Sequence, residues 1–255
     1  MKRSLICCCV MLAMSFLTVS AQNVPKSSMG QEWFAGISGE IPFGLDTFSS
    51  FGSDKTRAGW GVGVYGGRRF GNVVSAEIAL TAGRINLSAR KCCVERGYWL
   101  GSDGIRYEAP VVDILGWNYS ELKSSVSLAR MDARVNVNVL GFFSGTKDGP
   151  WAVELSPALS AVFSKAEIGV IATGENVAKK DPCWNLGAGG RVQVRRSLGG
   201  NLEVSAYSGL TCLAGKRFDA MPEHQHNRGL LWENGVRFGV RFGTGRQTGR
   251  SVVTE

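Results

Sequence analysis

The chain is 255 residues long, with 34 glycines, seven cysteines and a formal net charge of +8. Beyond Ala21 no apolar run approaches the roughly 20 residues of a spanning helix, which excludes a helical membrane protein. The length also excludes a wide diffusion pore, since an open aqueous lumen takes about 16 strands. The many glycines, few leucines and absence of helical periodicity instead predict a single all-β unit.

The first residues read as an address. Lys2 and Arg3 give a positive start, Leu5 to Val19 an apolar core, and Val19-Ser20-Ala21 a small-residue cleavage site. Together they predict a secretory signal peptide over 1–21. A membrane anchor is the alternative, but its apolar run is short and ends in a cleavage site. Lipidation at Cys7, Cys8 or Cys9 fits less well, because Ile6 is not small. Residues 22–31 are expected to be a periplasmic lead-in.

Eight alternating runs follow. The first, 32–42, sets Trp33, Ala35, Ile37 and Ile41 on one face, and the second, 57–68, carries Trp60, Val62 and Val64. The third, 72–87, opposes Val74, Ala76, Ile78, Leu80 and Ala82 to Ser75, Glu77 and Thr81. The fourth, Ala129 to Phe143, is the clearest: Ala129, Met131, Ala133, Val135, Val137, Val139 and Phe143 alternate with Arg130, Asp132, Arg134, Asn136 and Asn138. The fifth, 150–165, presents Trp151, Val153, Leu155, Leu159, Ala161 and Phe163, and the sixth, 183–195, presents Trp184, Leu186, Ala188, Val192 and Val194. The seventh, 200–213, carries Leu202, Val204, Ala206 and Leu210, and the eighth, 229–243, carries Trp232, Val236, Phe238, Val240 and Phe242.

A period of two marks strands. Several of these runs exceed the usual 5 to 6 residues and reach the roughly 9 to 11 that cross a bilayer. Strands in lipid must close on themselves, because lipid cannot satisfy an open edge. The expected fold is therefore all-β: an eight-stranded antiparallel up-and-down transmembrane β-barrel over 32–243. A secreted soluble barrel or sandwich is the alternative, with shorter strands and less regular loops.

The connections alternate in length. Arg69-Phe70-Gly71, Ser144 to Gly149 and Ser197 to Gly199 are short, whereas 43–56, 88–123, 166–182 and 214–228 are long. That alternation predicts short periplasmic turns, long extracellular loops and both termini in the periplasm. Aromatic girdles should mark the two interfaces. Trp33, Phe70, Phe143, Trp151 and Phe242 fall at the turn end, and Trp60, Phe163, Trp184 and Trp232 at the loop end.

The inward face carries charge. Glu40, Glu77, Asp132, Glu154, Glu203 and Glu233 meet Arg130, Arg134, Arg191, Arg195, Arg237 and Arg241. So small a barrel holds little more than side chains, and buried charges need partners, so a packed polar network is expected. A narrow conductance is the alternative, since inward Gly61, Gly63, Gly187, Gly189 and Gly239 leave local space. The mature charge, +8 less Lys2 and Arg3, is +6. Lys26, Arg68, Arg69, Lys147, Arg196, Arg246 and Arg250 against Glu32, Asp148 and Glu255 give the periplasmic rim a net +4. This rim is expected to meet anionic headgroups or simply to be a solubilising edge. Nucleic acid is not an expected partner, because a lipid-facing exterior offers no basic binding face.

Taken together, these strands resemble the small outer-membrane β-barrel family of the OmpA and OmpX type. The closing run Gly235-Val236-Arg237-Phe238-Gly239-Val240-Arg241-Phe242 is similar to the family's assembly signal, although here a tail, 244–255, continues past Gly243. The resemblance implies residence in the outer membrane among its lipids and lipopolysaccharide, insertion by the barrel-assembly machinery, a monomer, and no cofactor. It also brings in barrels that modify lipopolysaccharide, so a lipid-modifying enzyme is a second alternative. His224 and His226 stand beside Glu223 and near Asp219, a set compatible with acyl transfer. No serine can be assigned as the nucleophile, so neither catalysis nor a metal site is expected.

The segment Ser88 to Lys123 is the candidate binding loop, with Tyr98, Trp99, Tyr107, Trp117 and Tyr119. Aromatic residues of this kind suit an interface or an ordered extension of the sheet. After signal removal four cysteines remain, Cys92, Cys93, Cys183 and Cys212. An exported chain can cross-link them, with Cys92 and Cys93 tied to Cys183 or Cys212 rather than to each other. The expected function is a structural or surface-interaction role carried by the extracellular loops.

Overall fold

A computed structural model describes residues 32–143, 145, 149–179, 181–215, 218–222 and 229–242. The signal peptide 1–21, the lead-in 22–31, the tail 244–255 and the histidines His224 and His226 lie outside the described residues. Among the described residues no helix is long and apolar enough to cross a membrane.

Eight long strands form the wall: β1 (Glu32–Leu45), β3 (Trp60–Arg69), β4 (Val74–Ala89), β8 (Leu122–Asn138), β9 (Trp151–Val170), β11 (Cys183–Gly199), β12 (Leu202–Leu213) and β13 (Leu230–Phe242). Each pairs antiparallel with the next, and β13 returns to β1 with Trp33 opposite Phe242 and Leu45 opposite Leu230. The ring is closed, so no backbone edge faces lipid. The short strand β2 (Phe48–Ser49) pairs with β4, and β10 (Asn176–Lys179) extends β9 as a hairpin.

The outer surface is an apolar belt. Ile37, Val64, Ile78, Leu80, Met131, Leu159, Leu186, Val236 and Phe238 are all exposed. Trp33, Trp60, Trp151, Trp184 and Phe242 are exposed at its margins, while Trp232 is half-covered by Phe43 and Phe51 at 5.4 and 6.1 Å. A closed sheet with a continuous apolar exterior is stable only in hydrocarbon. The barrel is transmembrane, with short turns at one end and long connections at the other.

On one side of the barrel the strands outrun the membrane. The 17 residues of β8 and 20 of β9 exceed the roughly 9 to 11 needed, and their polarity inverts along their length. In β8 the outward positions are Ala129, Met131, Ala133, Val135 and Val137, then Ser127, Ser125 and Lys123. Its inward positions change in the opposite sense, from Arg130 and Asp132 to Leu128, Val126 and Leu122. Strand β4 repeats this with Arg84 and Asn86 outside against Ile85 and Leu87 inside, and β9 with Lys165 and Glu167 against Ala166 and Ile168.

This inversion corrects the expected fourth strand. It starts at Leu122 rather than Ala129 because the lipid-facing pattern begins only where the phase flips. It ends at Asn138, since Val139–Phe142 turn as a 3-10 helix. Phe143 therefore sits exposed beyond the strand rather than on its outer face. Likewise β9 runs to Val170, and the expected loops 88–123 and 166–182 each lose residues to the flanking strands.

Candidate functional site

The lumen is filled in two layers. The layer nearer the periplasm is ionic and centres on Arg130, which is buried and touches Glu40 at 3.2 Å, Asp132 at 3.0 Å and also Glu233. Arg134 bridges Asp132 and Glu77, Arg191 pairs with Glu233 at 2.9 Å, and Arg237 pairs with Glu77 at 2.8 Å. Closer to the turns, Arg195 joins Glu154 at 2.9 Å and Glu203 at 3.5 Å. Arg241 reaches Glu32 at 3.8 Å and donates to the Ser197 hydroxyl. Every expected lumen charge is thus paired, in one group around Arg130 and a second nearer the turns.

Two further residues join the second group, and this corrects the expected periplasmic rim. Arg69 turns inward to Glu32 at 3.0 Å and Glu203 at 2.7 Å. Seven arginines therefore meet seven acids, the expected six of each plus Arg69 and Glu32. Arg68 and Arg196 stay outside and lie over girdle rings: Arg68 over Trp33 and Phe70 at 5.4 and 5.7 Å, Arg196 over Trp151 at 5.1 Å. A cation over an aromatic face is attractive, and it holds these arginines at headgroup level.

Tyr65, Tyr207 and Gln193 complete the layer; Tyr207 and Gln193 fall on the inward faces that the alternation predicts, whereas Tyr65 was missed, because a single tyrosine among glycines carries no pattern. The Arg237 guanidinium lies 3.4 Å from the Tyr65 ring centre and that of Arg191 3.7 Å from Tyr207. Tyr207 donates to Glu40 at 2.8 Å, while Gln193 accepts from Arg237 and donates to Glu154. The rings need room that the inward glycines supply. A Cβ on Gly239 would lie 2.4 Å from the Tyr65 hydroxyl and one on Gly36 2.6 Å from that ring. The space at Gly239 is therefore occupied by a neighbour. Gly239→Val should cost about 1 to 3 kcal/mol through overpacking, read as a lower urea midpoint for unfolding from lipid vesicles.

The outer layer is apolar. Ile85, Leu87, Val126, Leu128, Val162 and Leu231 project inward and continue without a break into Phe48, Phe218, Met221 and Tyr119 from the loops above. Two buried aspartates fasten this cap. Asp46 accepts from the Phe218 amide at 3.1 Å, and Asp219 accepts from the Phe48 amide at 2.6 Å and the Met221 amide at 3.0 Å. Each loop thus closes the other's backbone. Burial, together with the neighbouring Asp46, pushes the Asp219 carboxyl up to about 8.

The segment between β4 and β8 is a folded platform. It contains a short helix Lys91–Glu95 and a three-stranded sheet of β5 (Trp99–Gly101), β6 (Arg106–Tyr107) and β7 (Gly116–Asn118). Tyr98, Trp99 and Tyr119 are buried within it, so they hold the platform together instead of offering a surface. Tyr107 packs on Trp99 at 5.8 Å and donates to Asp103, and Trp117 packs against the cap core. The exposed large apolar residues are others, Ile105, Val111, Val112 and Leu115, the last two at 85% and 80% exposure.

The cysteines contradict the expected cross-links. All four are free thiols. Cys212 occupies an outward position on β12, and Cys183 lies at the barrel mouth against Ser164 and Asn185. Cys93 is buried against the Thr47 carbonyl, and its nearest thiol is Cys92 at 4.0 Å. Burial and that neighbour push the Cys93 thiol up to about 11.

No protein-family model matches the chain, and no curated protein matches it. Among solved structures, Neisserial surface protein A is similar at 12% identity and a TM-score of 0.45, covering 82% of this chain and 97% of that one. The attachment invasion locus protein Ail of Yersinia pestis, in complex with the heparin analogue sucrose octasulfate, gives 12% identity and 0.43, covering 84% and 100%. A major outer membrane protein from Thermus thermophilus gives 13% identity and 0.43, covering 82% and 99%.

Proposed function

We propose that the chain is a sealed outer-membrane barrel, inserted as a monomer by the barrel-assembly machinery, whose role is structural and interactive. Its working surface is the rigid platform and loop cap held outside the membrane. The observation that carries this is the unbroken apolar core running from Ile85, Val126 and Val162 inside the wall to Phe48, Phe218 and Met221 above it. A column of water cannot cross such a layer without opening it, and beneath it the arginine and carboxylate side chains are tied to one another. A void among Tyr65, Arg69, Glu77, Glu154 and Glu203 measures only about 10 Å³, at the limit for one water.

The reading assigns the barrel no catalysis, so lipopolysaccharide incubated with it should keep its acyl pattern. The outward partners are lipid and lipopolysaccharide at the wall and a ligand at the platform. Liposomes loaded with a large osmolyte and carrying the protein should swell in isotonic glycerol no faster than liposomes without it. Swelling at a rate that rises with protein content would instead favour a narrow pore.

A further inference from the structure

The polarity inversion concentrates cations on one wall. Where β4, β8 and β9 leave the membrane, the last outward row in hydrocarbon is Ala82, Ala129 and Phe163, cross-strand neighbours by register. The next row is Arg84, Ser127 and Lys165, and above it come Asn86, Ser125, Glu167 and, across the hairpin, Lys179. Lys123 lies one row higher, opposite Ser88. Four cations therefore stand around Glu167, which Lys165 and Lys179 approach at 3.8 and 3.9 Å with about half or more of each lysine side chain exposed, and the Asp54–Arg57 pair on Ser88 adds no net charge. Alternate residues on a strand are about 6.7 Å apart, less along the membrane normal once tilted. The first of these rows thus falls in the headgroup layer, which adds roughly 5 to 8 Å to each side of the hydrocarbon.

The facing wall is different. There the outward positions at the strand ends are Phe43, Leu45, Leu210, Cys212, Leu230 and Trp232, and none is charged. A merely solubilising rim would surround the barrel; among the described outward positions of the strands at this end, cations occupy the β4, β8, β9 and β10 sector alone.

We propose that Arg84, Lys165 and Lys179, with Lys123 above them, form a binding site for the phosphate groups of the outer-leaflet glycolipid. The site fixes one lipid headgroup against the projecting wall and sets the height and tilt of the platform above the membrane. It rests on the outer-membrane reading above and not on closure of the lumen. Two lysines on Glu167 leave an excess positive charge, and Arg84 offers a planar fork suited to phosphate.

The test is binding of bis-phosphorylated lipid A to the purified full chain in detergent, compared with the same lipid stripped of phosphate. The phosphorylated form should bind more tightly, and more weakly as salt rises. Lys165→Gln with Lys179→Gln should weaken it about thirty-fold, from about 1 kcal/mol for each lysine at a membrane surface. Arg196→Gln, at the turn end of the barrel over Trp151, should leave it unchanged. The proposal is overturned by equal binding of the two lipids, by a double variant that binds like the parent, or by displacement with millimolar inorganic phosphate, which would make the site one for a free anion. Circular dichroism confirms that each variant keeps its strands. Liposome swelling separates the two readings, since loss of lipid binding leaves a sealed barrel sealed.

Discussion

Replacing Arg130 with methionine should destabilise the barrel by about 3 to 5 kcal/mol, because removing one partner from a buried ionic cluster strands the others. Arg130 is the shared cation of Glu40, Asp132 and Glu233. Asp132 retains Arg134 and Glu233 retains Arg191, but Glu40 is left with only the Tyr207 hydroxyl. The cost should therefore fall mainly on Glu40. A double variant, Arg130→Met with Glu40→Gln, is expected to regain at least half of the loss. Urea unfolding from lipid vesicles, followed by tryptophan fluorescence, measures both. Equal stability of the parent and the single variant would show that the cluster does not act as a unit.

The cap should loosen as pH rises, opposite to the usual behaviour of a paired carboxylate. Asp219 is raised to about 8, against roughly 4 for a free aspartate. Between those values the closed cap holds a proton that the open one does not. Closure is therefore fully supported below about pH 4 and loses support up to about pH 8, with a slope of at most about 1.4 kcal/mol per pH unit. The groups packed around the clasp are Asp46, the Phe48 and Phe218 amides it engages, Tyr119 and, on the Asp46 carbonyl, Arg90. Hydrogen exchange at the Phe48 and Phe218 amides should speed up from pH 5 to pH 8 by more than the intrinsic chemical change. Asp219→Asn should remove that excess. An excess that persists in the variant would place the titration on another group.

The barrel was legible in the sequence because lipid and lumen impose opposite demands on alternate residues. Trp33, Ile37 and Ile41 face outward just as their spacing predicts, and so do Val236, Phe238 and Val240. The ionic layer was legible for the same reason, since an arginine on an inward position has no destination other than a partner. What the pattern concealed was its own reversal. Leu122 to Leu128 still alternates, but with the apolar residues inward, the signature of a wall that stands in water around an apolar core. Read as one phase, it resembles a loop. Arg69 and Glu32 were misplaced because a residue at a strand end can turn either way, and contacts with Glu203 and Arg241 settle which. The asymmetry of the outer cations depends on register between three strands and the β10 hairpin, which no single segment encodes.

The platform illustrates a second limit. The aromatic residues of 98–119 were visible as a cluster, yet composition cannot separate a ring that binds from a ring that packs. Tyr98 and Tyr119 meet edge to face at 5.8 Å beneath the surface, where they stabilise the cap. The large apolar residues exposed in the same segment, Ile105, Val111, Val112 and Leu115, are aliphatic.

The claim on which the account turns is that the barrel carries nothing through its centre. Planar-bilayer recording of the purified protein, at potentials of both signs, tests it most directly. A flat trace at protein levels that give other barrels discrete steps is the predicted result, whereas reproducible unitary steps scaling with protein would contradict it.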